Sequence, residues 1–258
     1  MSPGAAAPGT GAPAAEVVGG TPLDKSVFIP DLFDRIAEHY DLMNLLMTAG
    51  FWRVWQRAFR RLSGIPPGCH VLDVGCGTAE LSLQLAEMVG AHGRVTGIDL
   101  SPGMLAVARR KVAASPLSER IDLSLGDALR LPFPDDSFDA AASAFVMRNV
   151  PDLDGALREL ARVVRPGGRI AILELSHPPA SFVRGPFMFY FRHVLPLLGT
   201  WAARAGLPVA PYAWLPKSLE TFPAAEEFAR RMASAGLRAP TFHRMTIGVV
   251  CLHLATAG

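Results

Sequence analysis

The chain has 258 residues, half of them hydrophobic and only 19% charged, with 25 basic against 23 acidic side chains. Gly and Pro together supply 46 residues, roughly 18% where about 12% is usual. There is enough chain for one large domain with its own core, and the composition excludes a mainly disordered protein, a coiled coil and a strongly basic nucleic-acid binder.

Fourteen of the first twenty residues are Ala, Gly or Pro, with no basic region leading a compact apolar run. This predicts a disordered tail over 1–23 rather than a secretory signal, followed by a single domain over 24–258. Apolar residues recur at helical spacing over 31–62, with a break near Ala49 and Gly50, and predict two helices. After Pro66-Pro67-Gly68 a regular alternation begins. Strands are predicted at 70–75, 94–100, 121–128, 138–146 and 169–175. Helices are predicted at 80–89, after Ser101-Pro102, and at 152–164. Strands alternating with helices imply right-handed crossovers and a parallel sheet.

The rhythm stops after Ser176. Residues 177–222 are predicted as an irregular apolar insert, since Phe187, Phe189, Phe191, Leu195, Leu197, Leu198 and Trp201 exceed what a surface excursion needs. Its most apolar stretch, 187–203, is interrupted by Arg192, His193, Pro196 and Gly199, so no transmembrane helix is predicted. A helix at 223–235 and two strands at 241–245 and 248–255 complete seven strands, the last pair antiparallel. Cys69, Cys76 and Cys251 have neither CxxC pairing nor metal spacing. They read as buried thiols in a reducing, cytoplasmic compartment, and no metal is expected.

The stretch Val71-Leu72-Asp73-Val74-Gly75-Cys76-Gly77-Thr78-Ala79-Glu80 is the most informative. Gly75 and Gly77, directly after a strand, let backbone N–H groups approach a ligand at a helix N-terminus. A dinucleotide fingerprint needs a third glycine at position 80. The residue there is Glu80, which repels a pyrophosphate and suits a cationic ligand. Asp99 closes the second strand and is placed to accept two ribose hydroxyls, while Asp127, beside Ala128 after the third, is an acceptor for an exocyclic amino group. Each residue alone is also explained as a turn glycine or a capping carboxylate. In this order they describe an adenosine site.

These residues resemble the class I S-adenosylmethionine-dependent methyltransferases. The resemblance implies an α/β, Rossmann-like, doubly wound seven-stranded sheet with an antiparallel last strand. Two further stretches narrow it. Tyr40-Asp41-Leu42-Met43-Asn44 with Thr48 and Trp55, and Arg162-Val163-Val164-Arg165-Pro166-Gly167-Gly168 continuing to Glu174 and Ser176, are similar to the two signatures of the ubiquinone/menaquinone C-methyltransferase family. Residues 131–139 and Arg148-Asn149-Val150 are similar to it as well, and the resemblance runs from about Val27 to the C-terminus. Ala79, Glu80, Thr48, Trp52, Arg165 and Ala144 depart from its usual residues; Ala144 stands where a cofactor-contacting serine is usual, and Trp52 lies near the expected substrate entrance. The resemblance implies S-adenosyl-L-methionine as cofactor, held by Thr78, Asp99, Asp127 and Ala128.

It also implies a polyprenyl quinol acceptor, either a demethylmenaquinol or a polyprenyl methoxybenzoquinol. Methylating a ring carbon requires a stabilised phenolate. Arg148, past the fourth strand, is predicted to supply the cation, with Asn149 orienting it; the plainer reading is an arginine that caps a helix or pairs Asp152. His177 and His193 are candidate bases, or packed side chains. Tyr40 either closes over the cofactor or is an ordinary helix aromatic. The insert is read as a tail pocket, a bilayer contact, a lid or a homodimer seam. Nucleic acid is not an expected partner, and the enzyme is expected in the cytoplasm, peripheral at the inner face of the membrane. Two rival readings are a methyltransferase of a soluble secondary metabolite and a non-catalytic binding protein.

Overall fold

A computed structural model describes residues 17–18, 21–22, 25–48, 50–179, 185, 189–194 and 210–258. The predicted tail lies almost wholly outside these residues, as do Phe187, Leu195, Leu197, Leu198 and Trp201 of the insert.

The strands are β1 (His70–Val74), β2 (Arg94–Asp99), β3 (Ile121–Leu125), β4 (Phe138–Ala144), β5 (Val164–Leu175), β6 (Arg238–Met245) and β7 (Val250–Thr256). They form one sheet of order 3-2-1-4-5-7-6. Pairings among β1 to β5 are parallel, whereas β7 runs antiparallel to both β5 and β6. The order reverses between β1 and β4, which opens a crevice at their carboxyl ends. Because both faces of the sheet are covered, its central strands are continuous apolar runs. Val71, Ala140 and Ala171 face one core; Leu72, Ala141, Ile170 and Ile172 face the other.

Helices α1 (Lys25–Ile36), α2 (Tyr40–Met47) and α3 (Trp52–Leu62) precede the sheet, where two helices from residue 31 were expected. α1 starts six residues earlier than expected and contains Pro30. A 3₁₀ turn at Ala37–His39 separates α1 from α2. The remaining helices are α4 (Glu80–Val89), α5 (Pro102–Ala113), α6 (Leu153–Val163), α7 (Ala210–Glu220) and α8 (Ala225–Ser234). Ser101 caps α5 by accepting the Met104 N–H at 3.0 Å, and Asp152 caps α6 through Gly155 at 2.9 Å. Asp34 ties α1 to the start of α5 by accepting from Ser101 and from the Gly103 amide.

Three other expectations change. β5 begins at Val164 because residues 165–168 bulge out of register, between the pairs Phe138–Val164 and Ala140–Arg169. β4 ends at Ala144 because Phe145 adopts φ +61°, a conformation costly for an aromatic residue. The insert is not irregular throughout: α7 lies in it, as does a π-helical turn at Tyr190–Val194. No helix among the described residues is long and apolar enough to cross a membrane, and no cluster among them suits a metal ion.

His253 on β7 is 1% exposed, contacts the rings of Phe228 and Phe242, and leaves Nδ1 without a hydrogen-bond partner. Burial, reinforced by Arg244 and opposed by Glu226, lowers its pKa to about 3. The unfolded chain therefore binds a proton between about pH 6.5 and 3 that the folded chain refuses, so stability falls as pH drops through that window. His253→Leu is expected to remove about 2 kcal/mol of the stability lost between pH 7.5 and pH 5. Urea melts of both proteins at the two pH values measure it; equal losses would refute it.

Candidate active site

Two cavities meet at the crevice. The smaller, about 230 Å³, is lined by Gly75, Gly77, Asp99, Asp127, Ala128 and Asn149 among others. The larger, about 450 Å³, lies under the N-terminal helices, and Met43, Met47, Trp52, Trp55, Phe59 and Leu175 contribute to its apolar wall. Phe33, Tyr40, Gly75, Gly77, Ala144 and Phe145 border both. Whatever bridges the cavities must cross that seam.

The smaller cavity brings together five of the six residues expected at the cofactor. Gly75 has φ +71°, and a Cβ there would lie 2.3 Å from the Val146 side chain, so only glycine fits. A Cβ on Gly77, at φ +54°, would meet no protein atom within 4 Å, which leaves room for a ligand against its backbone. Asp99 Oδ2 accepts the Gly77 N–H at 2.8 Å and Oδ1 accepts the Ser101 N–H at 2.9 Å. Burial pushes the Asp99 carboxyl up, while the N–H groups of Ser101, Gly77 and Leu100 pull it back. Its remaining lone pairs suit the two hydroxyls of a ribose. Asp127 Oδ1 accepts the Leu129 amide at 2.9 Å, which rigidifies the turn after β3 and puts Ala128 against the second core.

Thr78 is different. It is buried, and its hydroxyl donates to Asp41 Oδ1 at 2.7 Å instead of facing the residues around Asp99. Lys111 Nζ donates to Asp41 at 2.7 Å, to Glu80 at 2.5 Å and to Thr78 at 3.3 Å. Burial alone would lower the Lys111 pKa, but its hydrogen bonds to the Asp41 and Glu80 carboxylates raise it overall. The Glu80 charge is therefore answered by Lys111, and this cluster fastens α2 to the glycine loop. Ala79, fully buried with φ +67°, takes the left-handed turn before α4, a conformation that costs about 1–2 kcal/mol for a residue with a Cβ.

Arg148 lines the larger cavity. Its Nη1 donates at 2.6 Å to both Glu174 Oε1 and the Phe145 carbonyl. Glu174 is fully buried and also accepts the Leu175 amide at 2.8 Å. The partner is thus Glu174 rather than Asp152, which is occupied at the α6 cap. Arg148 Nη2 donates no hydrogen bond among the described residues. Asn149 does not orient Arg148 directly: its Oδ1 accepts the Trp214 indole N–H at 2.9 Å, and its Nδ2 reaches the shared Phe145 carbonyl at 3.4 Å. The left-handed Phe145 aims that carbonyl at both neighbours. Strain of this kind persists where surrounding structure over-determines it.

Tyr40 stands on the seam, edge-on to Phe33 with ring centroids 6.0 Å apart. Burial holds its phenol above the usual pKa, so it stays a neutral donor. The two histidines are not part of the site. His177 Nε2 is bonded to the Phe222 carbonyl at 2.9 Å, and the exposed His193 lies against Phe189; neither lines either cavity.

Asp73 was not singled out from the sequence. It lines the larger cavity, its Oδ2 accepts the Ser82 hydroxyl at 2.6 Å, and Oδ1 is buried without a partner. Burial, despite the Ser82 bond, pushes its carboxyl up to about 7. The available signal was a carboxylate inside an otherwise apolar strand. Glu174 had the same signature at the end of β5. Trp55, whose indole donates to Thr246 at 2.6 Å, shows that the β6–β7 turn also walls the larger cavity.

Comparison with known proteins agrees with this geometry. The model of the ubiE/COQ5 methyltransferase family matches residues 23–257. A demethylmenaquinone methyltransferase of Symbiobacterium thermophilum is 41% identical over 92% of this chain and 95% of its own length. One from Bacillus cereus is 38% identical over 88% of this chain and 94% of its own. Among solved structures, a SAM-dependent methyltransferase from Aquifex aeolicus superposes with TM-score 0.59 at 21% identity, covering 79% of this chain and 89% of that one. A possible histamine N-methyltransferase from Thermotoga maritima gives 0.62 at 17%, covering 89% and 100%. These two show a shared fold. With a glycine cradle, a half-buried carboxylate at the end of β2 and an adjoining apolar chamber, the site fits S-adenosylmethionine as methyl donor, and the chain belongs to the ubiE/COQ5 methyltransferase family.

Proposed function

We propose that this enzyme transfers a methyl group from S-adenosylmethionine to a ring carbon of a demethylmenaquinol. One observation carries the reading. A single guanidinium, Arg148, its side chain only 10% exposed, stands in a large, otherwise mostly apolar chamber that shares a wall with the Asp99 cavity. A ring bearing a phenol and an isoprenoid tail matches that chamber in both respects. The names and identities of the relatives support the same acceptor.

When bound, S-adenosylmethionine supplies an electrophilic methyl on a sulfonium centre. The Asp99 carboxylate and the glycine loop hold its nucleoside end in this reading. Arg148, through Nη2, steadies the negative charge left when the acceptor phenol loses its proton. That charge raises electron density at the neighbouring ring carbon, which would take the methyl while the S–C bonding pair stays on sulfur in the departing thioether, and would then lose its ring proton to solvent as aromaticity returns. The seam residues Tyr40 and Phe145 exclude water and set the line of approach. In this reading the enzyme works as a peripheral protein at the cytoplasmic face of a membrane, where an acceptor with such a tail resides.

Incubating the purified chain with demethylmenaquinol and methyl-labelled S-adenosylmethionine is expected to move label into the quinol fraction, on carbon. Absence of label there would overturn the proposal, and transfer only to a small soluble acceptor would favour the secondary-metabolite reading.

A further inference from the structure

Six of the eleven large hydrophobic side chains exposed among the described residues fall between 42 and 62, on α2, α3 and the elbow joining them. On α2, Met43 and Met47 turn towards the larger cavity, whereas Leu42, Leu45 and Leu46 stand 40–47% exposed. On α3, Trp55 and Phe59 are buried and Val54 is 50% exposed. The two exposed sets meet at the elbow. The Gly50 amide donates to the Leu45 carbonyl at 3.1 Å, and the Gly50 Cβ position lies 3.9 Å from a Leu45 methyl. Phe51, half exposed, is the N-cap residue of α3 and is also part of the cavity lining.

The charge on this surface has one sign. Residues 42–62 contain four arginines and no Asp or Glu. Arg53, Arg57 and Arg61 are spaced four apart and exposed, so they share a face of α3, and none makes an ion pair among the described residues. Only Arg60 is paired, with Glu87. An amphipathic basic helix flanked by exposed leucines and an aromatic elbow is the chemistry of a helix lying in a lipid interface. A protein partner would have to cover these apolar side chains and neutralise three arginines together. An anionic bilayer offers acyl chains and phosphates at the required depths.

We propose that the α2–α3 elbow is the membrane-docking surface of this enzyme, with the leucines and Phe51 entering the acyl boundary and Arg53, Arg57 and Arg61 on lipid phosphates. Its use rests on the quinol reading above. Because Met47, Thr48, Phe51 and Trp52 border the larger cavity, docking sets the cavity against the lipid, and an isoprenoid tail moves from bilayer to chamber without crossing water.

Flotation of the full chain with phosphatidylcholine vesicles, with and without about 30 mol% phosphatidylglycerol, tests this. The protein is expected to float only with the anionic vesicles. Arg53→Gln/Arg57→Gln/Arg61→Gln should weaken that partition on the order of 100-fold, and Leu46→Glu/Val54→Glu should abolish it. Neither set lines a cavity, so both variants should methylate a short-chain, water-soluble demethylmenaquinol at the wild-type rate. On long-chain quinol in vesicles both should lose at least about tenfold. Wild-type flotation by both variants would overturn the proposal. So would a dimer that Leu46→Glu/Val54→Glu converts to monomer with flotation intact, since the face would then be a subunit seam. A large fall in melting temperature with flotation intact would also overturn it, since the chain itself would then cover the face. If the wild type floats but methylates neither quinol, the acceptor reading fails and the docking surface stands.

Discussion

Arg148→Ala is expected to lower turnover of the quinol by about 10²–10³-fold, with S-adenosylmethionine affinity within about twofold of wild type. The guanidinium is the only cation that lines the larger cavity among the described residues, so no neighbour replaces it opposite a phenolate. Its removal has a second consequence. Glu174 is fully buried, and Arg148 is its ion-pair partner. Stranding it costs about 3–5 kcal/mol, so the single variant can lose activity simply by unfolding. Arg148→Gln/Glu174→Gln removes both charges and keeps hydrogen-bonding groups at each position. It should recover most of the melting temperature while turnover stays low. The pH dependence separates charge stabilisation from scaffolding. Without the cation the acceptor phenol returns towards its ordinary pKa of about 10, so the double variant should regain activity as pH rises, in a range where wild type is flat. Equal turnover of wild type and double variant would remove the catalytic role. A uniformly depressed profile would mark Arg148 as structural.

The second large effect belongs to the cofactor. Asp99→Ala should weaken S-adenosylmethionine binding by about 10²–10³-fold, since two hydrogen bonds to a charged acceptor are each worth about 1.5–3 kcal/mol. Part of that loss is indirect, because the Gly77 and Ser101 amides both rely on the carboxylate. Asp99→Asn retains one acceptor and should fall in between. Burial raises the Asp99 pKa, and the ionised form is the one that accepts both hydroxyls. Affinity in the wild type should therefore decline on acidification, beginning at a pH above the ordinary carboxyl range, and Asp99→Asn should lack that decline. Calorimetry across pH measures both; unchanged affinity in Asp99→Ala would move the ribose elsewhere.

Much of this architecture was legible from residue order alone. Largely apolar runs, the first three closed by Gly or Asp, identify the parallel strands because a sheet covered on both faces has no polar side to alternate with. Gly75, Asp99 and Asp127 were recognisable as a group because the fold puts all three at strand ends on the same side of the switch point. Ser101-Pro102 and Asp152 announced their helices through local capping. The misread positions are those where a partner far along the chain decides the outcome. Helical spacing reads from residue 31, yet α1 begins at Lys25, and the Asp34 contacts to the start of α5 hold that helix in place. His177 and His193 had suitable chemistry, but nothing local reveals whether a ring turns inward; one is held by Phe222 and the other lies outside both cavities.

The family, its donor and the general place of the reaction were thus present in the linear pattern, because backbone geometry at glycine, strand ends and caps depends on a few adjacent residues. Tertiary structure decided which charges meet. It paired Arg148 with Glu174 across 26 positions, turned Thr78 towards Asp41 across 37, and left Asp73 protonated to about pH 7 beneath the glycine loop. Desolvation and ion pairing depend on what surrounds a group in space, and a side chain's sequence neighbours do not specify that. The oily composition has the same two-part origin. Half of the explanation is strands buried in the sheet, which periodicity reveals. The other half is a 450 Å³ apolar chamber and an exposed, arginine-edged elbow beside it, which exist only once α2 and α3 are laid over the crevice.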